Sequence, residues 1–460
     1  MSRRTSSGPS VRGFYNHPLR EAMSVFLPHR GLPLLCEDKR VRWSDRMLAM
    51  AAVLMAWSGA ATLLDRFNQA RATLVAMYPT RRRPGVSSEG FLKALDDRGQ
   101  RVLTMLCDYW RSCVYRVAGG HWKIDGWLLF GVDGSKFDCP RTLANEAGFG
   151  ISGKGKSGPQ QLLTCLFHVA SGMLWGWTSD GVQGRGEPTQ LKELLGLLPS
   201  GSMLLADAGY TGYDLLKMIM NQGNHFIVRV GRNVKLIKNL GYIEREGQQT
   251  VYLWPMHKQG RNKRSMPKHL GKVQPPLVLR LIELHDVAGK PVCLLTSVTS
   301  SKKLSNAAAA KIYRLRWGIE VMWRGLKQTL DHHKMLGKTP AAARAELNWA
   351  MAGLWMLQLL TASRIISAGD SPRNHSPAKA LRIVRQAFDG RPRRARSLRR
   401  QLSEATKDTY RRRGSKQPRY RRQKRSQRPP GKPEARMASA IEKRLIQRIL
   451  EQPPPNSFAA

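Results

Sequence analysis

The alternation of hydrophobic patterns predicts an α/β protein: a mixed sheet with a β-rich insertion, flanked by helical, basic N- and C-terminal regions. Three observations predict it. Between residues 127 and 230, short apolar runs closed by turn residues alternate with helical patterns. From 231 to 300 the runs become short and strand-like, separated by Gly, Pro and Lys. Longer helical patterns lie on both sides of this region. The 460 residues are 42 % hydrophobic, enough to build real cores and to exclude a wholly disordered chain.

The elements follow in order. In residues 1–122 apolar positions recur at helical spacing through Met47–Leu64 and Leu92–Val117, with a basic break at Arg81–Pro84. This reads as a small helical domain with basic edges. Residues 123–230 form the first part of a core. Trp127–Val132 is a buried strand closed by Asp133-Gly134-Ser135, and Leu162–Val169 with Met173–Trp177 is a hairpin around Ser171-Gly172. A short helix over Gln190–Leu198 and a second buried strand, Met203–Ala206, follow, the strand closed by Asp207-Ala208-Gly209-Tyr210. A helix then starts at Leu215, and His225–Val230 is a further strand. In 231–300 the insertion carries strand-like runs at Val234–Ile237, Thr250–Trp254, Leu277–Leu284 and Val292–Ser297. Residues 301–370 return to the core with helices over Ala307–Leu330 and Ala341–Ile366, and 371–460 are a basic C-terminal region. Met47–Leu64 and Trp349–Leu360 are apolar enough to suggest membrane spans, but the first is interrupted by Ser58, Gly59 and Thr62 and the second is too short. Both are expected to be buried bundle helices.

Charge narrows the partners. Lys and Arg number 77 against 32 Asp and Glu, a formal net charge of +45. Self-repulsion on that scale costs stability, and a polyanionic partner, nucleic acid before an anionic membrane surface, accounts for it. Arg391–Arg436 alone holds 19 Lys or Arg against Glu404, Asp408 and Glu434, a net of +16 in 46 residues, and is expected to clamp a phosphate backbone. Six scattered cysteines with no CxxC pair predict neither a zinc finger nor a disulfide framework. That cysteine usage reads as a reducing cytoplasm, and the polar, basic Met1–Arg12 predicts no signal peptide.

Three carboxylates stand out by context. Asp133 and Asp207 each follow a buried strand, where side chains face a crevice; the plainer reading is that each caps its turn. Glu320 lies in a helical pattern with Tyr313, Arg316 and Lys327. At 100° per residue these four fall within an arc of roughly 60°, a polar stripe about three to four turns long. The plainer reading is a solvated face with an Arg316–Glu320 ion pair. Together, three acids from two strands and a helix supply the oxygen ligands that two Mg²⁺ ions want, and such a pair suits in-line phosphodiester displacement. Arg316 and Lys327 would offset phosphate charge, and Tyr313 would bond a phosphate oxygen or stack on a base.

The segment Tyr313-x2-Arg316-x3-Glu320-x6-Lys327 resembles, at full spacing, the YREK signature of the IS4-type DDE transposases. Asp133 in Val-Asp-Gly-Ser and Asp207 in Leu-Ala-Asp-Ala-Gly-Tyr match the first and second acids, and Phe226–Asn233 is also typical of the family. The resemblance covers about residues 127–335. It implies an RNase H-like catalytic core interrupted by the β-rich insertion within the 113 positions from Asp207 to Glu320. It also implies cut-and-paste transposition: Mg²⁺-dependent cleavage at transposon terminal inverted repeats and strand transfer into target DNA. Asp133, Asp207 and Glu320 would be catalytic and hold two Mg²⁺ ions, for which Mn²⁺ can substitute. Tyr313, Arg316 and Lys327 would contact DNA, and the chain would act as a homodimer in a synaptic complex on the nucleoid, with no membrane partner. In some relatives a Trp on the insertion clamps a flipped base during a hairpin step. The ungapped count from Glu320 puts Val292 at that position, with Trp254 the candidate replacement. The competing functions are a catalytically inactive or domesticated DNA-binding protein and a general RNase H-like nuclease.

Overall fold

The computed structural model describes residues 17–27, 41–79, 83–151, 158–240, 249–255, 275–286, 289–388, 397–407 and 431–451. The strands are β1 (Leu128–Asp138), β2 (Gln160–His168), β3 (Met173–Gly181), β4 (Ser202–Ala206), β5 (His225–Val230), β6 (Lys235–Lys238), β7 (Thr250–Leu253), β8 (Leu277–His285), β9 (Pro291–Thr296) and β10 (Glu434–Met437). The helices are α1 (Pro18–Ser24), α2 (Asp45–Trp57), α3 (Leu63–Met77), α4 (Ser88–Ala118), α5 (Leu143–Phe149), α6 (Glu187–Leu194), α7 (Tyr213–Asn221), α8 (Asn306–Arg314), α9 (Gly318–Arg324), α10 (Pro340–Ser367), α11 (Pro377–Gln386), α12 (Leu398–Ser403) and α13 (Ala440–Glu451). Ser or Thr begins α2, α3, α4, α5, α8, α10, α11 and α12, its hydroxyl accepting a first-turn amide that would otherwise lack a partner.

The ten strands among the described residues join one mixed sheet in the order β10-β6-β7-β8-β9-β5-β4-β1-β2-β3. β1 pairs antiparallel with β2 and parallel with β4, and β4 pairs parallel with β5. β4 is buried at every position, as a strand covered on both faces must be. The strands of 231–300 continue this sheet through the antiparallel β5–β9 pairing, and the C-terminal β10 lies parallel to β6 at the far edge.

Helices form the rest of the core around α10. Its apolar residues point in all directions, which suits a helix surrounded by protein. It is long and apolar enough to cross a bilayer by composition, yet 78 % of its apolar window is buried inside the protein. α10 packs against α2, α4 and α12. Gly353 lets α2 come close: a Cβ there would sit 2.6 Å from the Ala56 Cβ, and the Trp57 indole donates to the Gly353 carbonyl at 2.8 Å.

The structure corrects three expectations. β1 does not stop at Asp133; it runs on to Asp138, because Gly134 and Ser135 stay extended in register with Thr164 and Leu163 of β2. Met47–Leu64 is two helices, α2 and α3, parted at residues 58–62. The helix expected over Ala307–Leu330 is α8, a 3₁₀ turn at Leu315–Trp317, α9, and a π turn at Gly325–Thr329. The 3₁₀ turn winds tighter and the π turn wider than an α-helix, so a uniform 100° step does not describe the stripe. Most of the basic Arg391–Arg436 segment lies outside the described residues.

Three buried histidines make the fold sensitive to acid. Burial pushes His168, His332 and His375 down to about 4 from an ordinary 6.5. Between those values the unfolded chain binds more protons than the native one, so stability falls as pH drops through this window. Wild type should therefore lose stability relative to His375→Gln by roughly 1.4 kcal/mol per pH unit between pH 6.5 and 4.5. Denaturant midpoints at several pH values measure this, and a constant difference would rule it out.

Candidate active site

The strand register brings the two aspartates together. Gly131 of β1 pairs with Leu205 of β4, and two residues further along each chain stand Asp133 and Asp207. Neighbouring strands lie about 4.8 Å apart, so these residues sit level on adjacent strands. Asp207 also begins the short turn after β4, its carboxylate accepting the Ala208 amide at 2.7 Å. The turn-capping role is thus present alongside the crevice position.

The stripe of residues on α8, α9 and the π turn faces the sheet. The Tyr313 hydroxyl donates to the Ala206 carbonyl at 3.3 Å, seating α8 on the end of β4 just before Asp207. Burial pushes that phenol up to about 12, so it stays a neutral donor. The Trp323 indole donates to Asp133 Oδ2 at 3.2 Å, tying α9 to β1. The Lys327 ammonium donates to the Lys136 carbonyl at 2.7 Å and lies 4.7 Å over the Phe137 ring. Arg316 stands among the acids: it is 3.6 Å from Glu320 and in electrostatic reach of Asp133 and Asp207. The expected Arg316–Glu320 pair is present, with the cation turned inward: its side chain is 15 % exposed against 36 % for Glu320. Its buried Nε has no partner among the described residues.

Burial raises the Asp133 carboxyl to about 6; Arg316 opposes the rise and Glu187 adds to it. Glu187, the first residue of α6, packs against Gly134, where any Cβ would overlap its carboxyl carbon. Its Oε2 accepts the Tyr210 hydroxyl at 2.9 Å. Glu187, Tyr210 and Trp323 are residues that sequence reasoning did not single out. Trp323 falls within the Tyr313–Lys327 spacing and Tyr210 three residues after Asp207, but Glu187 carries no local signal, because only folding brings α6 to β1. Trp254 packs its ring on the cluster of Ile237, Leu240, Tyr252 and Ile446. Val292 is half-buried on β9.

The structure thus gathers Asp133, Asp207 and Glu320 around one guanidinium. Among the described residues it does not bring three carboxylate, imidazole or thiol groups into one metal cage. The donor set is all oxygen, the kind a hard divalent ion takes, and in this chain the charge is offset by Arg316.

Two aspartates level on adjacent strands, beside a helix that brings a glutamate and two cations, are a set of groups that phosphoryl transfer on a polyanion can use. Residues 132–357 match the family described as "Transposase DDE domain". The chain is 26 % identical over 329 residues to the transposase InsG for insertion sequence element IS4 of Escherichia coli K12, covering 68 % of this chain and 70 % of that protein. A cryo-EM structure of a piggyBac transposase synaptic complex with hairpin DNA superposes with a TM-score of 0.39 at 14 % identity, over 80 % of this chain and 77 % of that one. The chain is a DNA-cleaving transposase with a DDE domain, similar to the IS4 transposase, and DDE transposases use divalent metal ions.

Proposed function

We propose that Asp133, Asp207 and Glu320 are the catalytic carboxylates of this transposase, set in an RNase H-like core. The level placement of Asp133 and Asp207, with Arg316 linking both to Glu320, carries this reading. The strand order β3-β2-β1-β4-β5, antiparallel then parallel, supports the core assignment. The core would comprise 123–230 and 301–370, with 231–300 as its insertion, 1–122 as a helical DNA-binding region and 371–460 as a basic C-terminal region. The substrates are transposon terminal inverted repeats and target DNA in the cytoplasm, on the nucleoid, with two copies of the chain acting in a synaptic complex.

The residues fit two Mg²⁺ ions by their chemistry: oxygen donors only, on carboxylates already sharing a single counter-charge. When bound, the ions would be held by Asp133, Asp207 and Glu320 and would supply an activated attacking oxygen and a stabilised leaving oxygen. The chain's own residues do the rest. Arg316 offers its spare Nε donor and its charge to a phosphate oxygen. Lys327, held on Lys136 and Phe137, adds a second cation beside Asp133. Tyr313 keeps the helix on the sheet, so Glu320 and Arg316 stay beside Asp133 within β1 and Asp207 just past the end of β4.

Cleavage of a terminal-repeat duplex with Mg²⁺, followed by strand transfer into a target plasmid, tests the reading. Lys327→Ala should slow end-specific cleavage by roughly a hundredfold. It should reduce the salt slope of duplex binding by no more than about one phosphate contact. Cleavage without joined products would instead favour a general nuclease. Binding without cleavage would favour an inactive DNA-binding protein.

A further inference from the structure

We propose that Glu187 is a positioning residue that ties the Asp207 turn to the Asp133 strand, a role that rests on the functional reading above. Two contacts carry it. On one side Glu187 lies against Gly134, the neighbour of Asp133, so closely that only glycine leaves room for it. On the other it accepts the hydroxyl of Tyr210, a residue 1 % exposed. Tyr210 belongs to the Asp207 turn, its amide bonding the Asp207 carbonyl at 3.1 Å.

Glu187 is itself fixed. It opens α6 with Pro188 beside it in the first turn, which locks the backbone entering the helix. Gln190, one turn on, donates to the Leu162 carbonyl of β2 at 3.1 Å, so α6 is anchored to the same sheet. The chain therefore runs β1, Glu187, Tyr210, Asp207 as one mechanical link across the crevice. The phenol is buried, so this bond has no water to compete with it, and it holds the two segments in one geometry. The catalytic aspartates belong to neighbouring strands, but Asp207 lies one residue beyond the end of β4, where no ladder bond holds it. The Glu187–Tyr210 bond supplies the missing restraint.

The role depends on an acceptor oxygen at this place and not on a fourth negative charge. Three variants of the full chain separate the two. Tyr210→Phe and Glu187→Ala remove the link, whereas Glu187→Gln keeps an acceptor for the phenol and discards the charge. We expect Tyr210→Phe and Glu187→Ala each to weaken Mn²⁺ binding, measured by calorimetry with the metal alone, by roughly tenfold or more, and to slow cleavage similarly. Glu187→Gln should stay near wild type in both, and the double variant Glu187→Ala/Tyr210→Phe should be no worse than Glu187→Ala. Tyr210→Phe is nearly isosteric and keeps the fold intact for the measurement. If Glu187→Gln is as damaging as Glu187→Ala while Tyr210→Phe is silent, Glu187 acts by its charge and the link is refuted. Silence of all three variants refutes it as well. A wild type that neither binds Mn²⁺ nor cleaves removes the functional reading itself, and this role with it. A cleaving wild type with unaffected variants leaves that reading standing.

Discussion

Asp207→Asn is expected to abolish divalent-dependent nicking of a terminal-repeat duplex while leaving duplex binding nearly unchanged. The substitution keeps the shape of the side chain and an oxygen that can still accept the Ala208 amide, now bonded at 2.7 Å, so the turn after β4 survives. It removes one of three negative charges now gathered on Arg316. Loss of a carboxylate that holds the reacting centre should cost at least about a thousandfold in rate, or about 4 kcal/mol of barrier. Binding is set by the total charge of +45, which the change raises by one, so affinity does not fall. Nicking that persists within about tenfold of wild type would remove Asp207 from the site.

The second large effect lies away from the chemistry. Glu346 on α10 is buried, accepts the Leu336 and Gly337 amides at 2.7 and 3.0 Å, and lies 3.5 Å from Arg66 of α3. Each side chain of that pair is 7 % exposed. Burial raises the Glu346 carboxyl, and the two amides and Arg66 act to hold it ionised. Glu346→Ala would leave a buried guanidinium and two amides without their acceptor, a loss of about 3–5 kcal/mol. Glu346→Gln keeps an acceptor and should cost less. Chemical denaturation decides the matter: a Glu346→Ala protein within about 1 kcal/mol of wild type would show that these groups find other partners.

Much of this architecture is written locally. The strand His225–Val230 matches its reading residue for residue, because a short apolar run between Gly and polar breakers has few other solutions. Asp133 and Asp207 were visible as acids at the ends of such runs. The site's real spacing was not visible. Gly134-Ser135 has the composition of a turn, yet cross-strand pairing with β2 keeps it extended, a tertiary effect that overrides propensity. The break of the site helix into α8, 3₁₀, α9 and π segments follows from contacts that Tyr313, Trp323 and Lys327 make with β4 and β1, and these lie more than a hundred positions away in the chain. Glu187 was invisible for the same reason. The charge, in contrast, pointed to a polyanion from composition alone, since the sum of charges does not depend on folding.

The far rim of the sheet has a consequence for synthesis. β6 is covered on its outer side by β10, four residues near position 435, held by the Lys432–Glu283 contact and the buried Glu442 that Arg436 grips. During translation the nine other described strands of the sheet emerge before β10, so β6 waits as an unsealed border for about two hundred residues of synthesis. An open border invites pairing with another nascent chain.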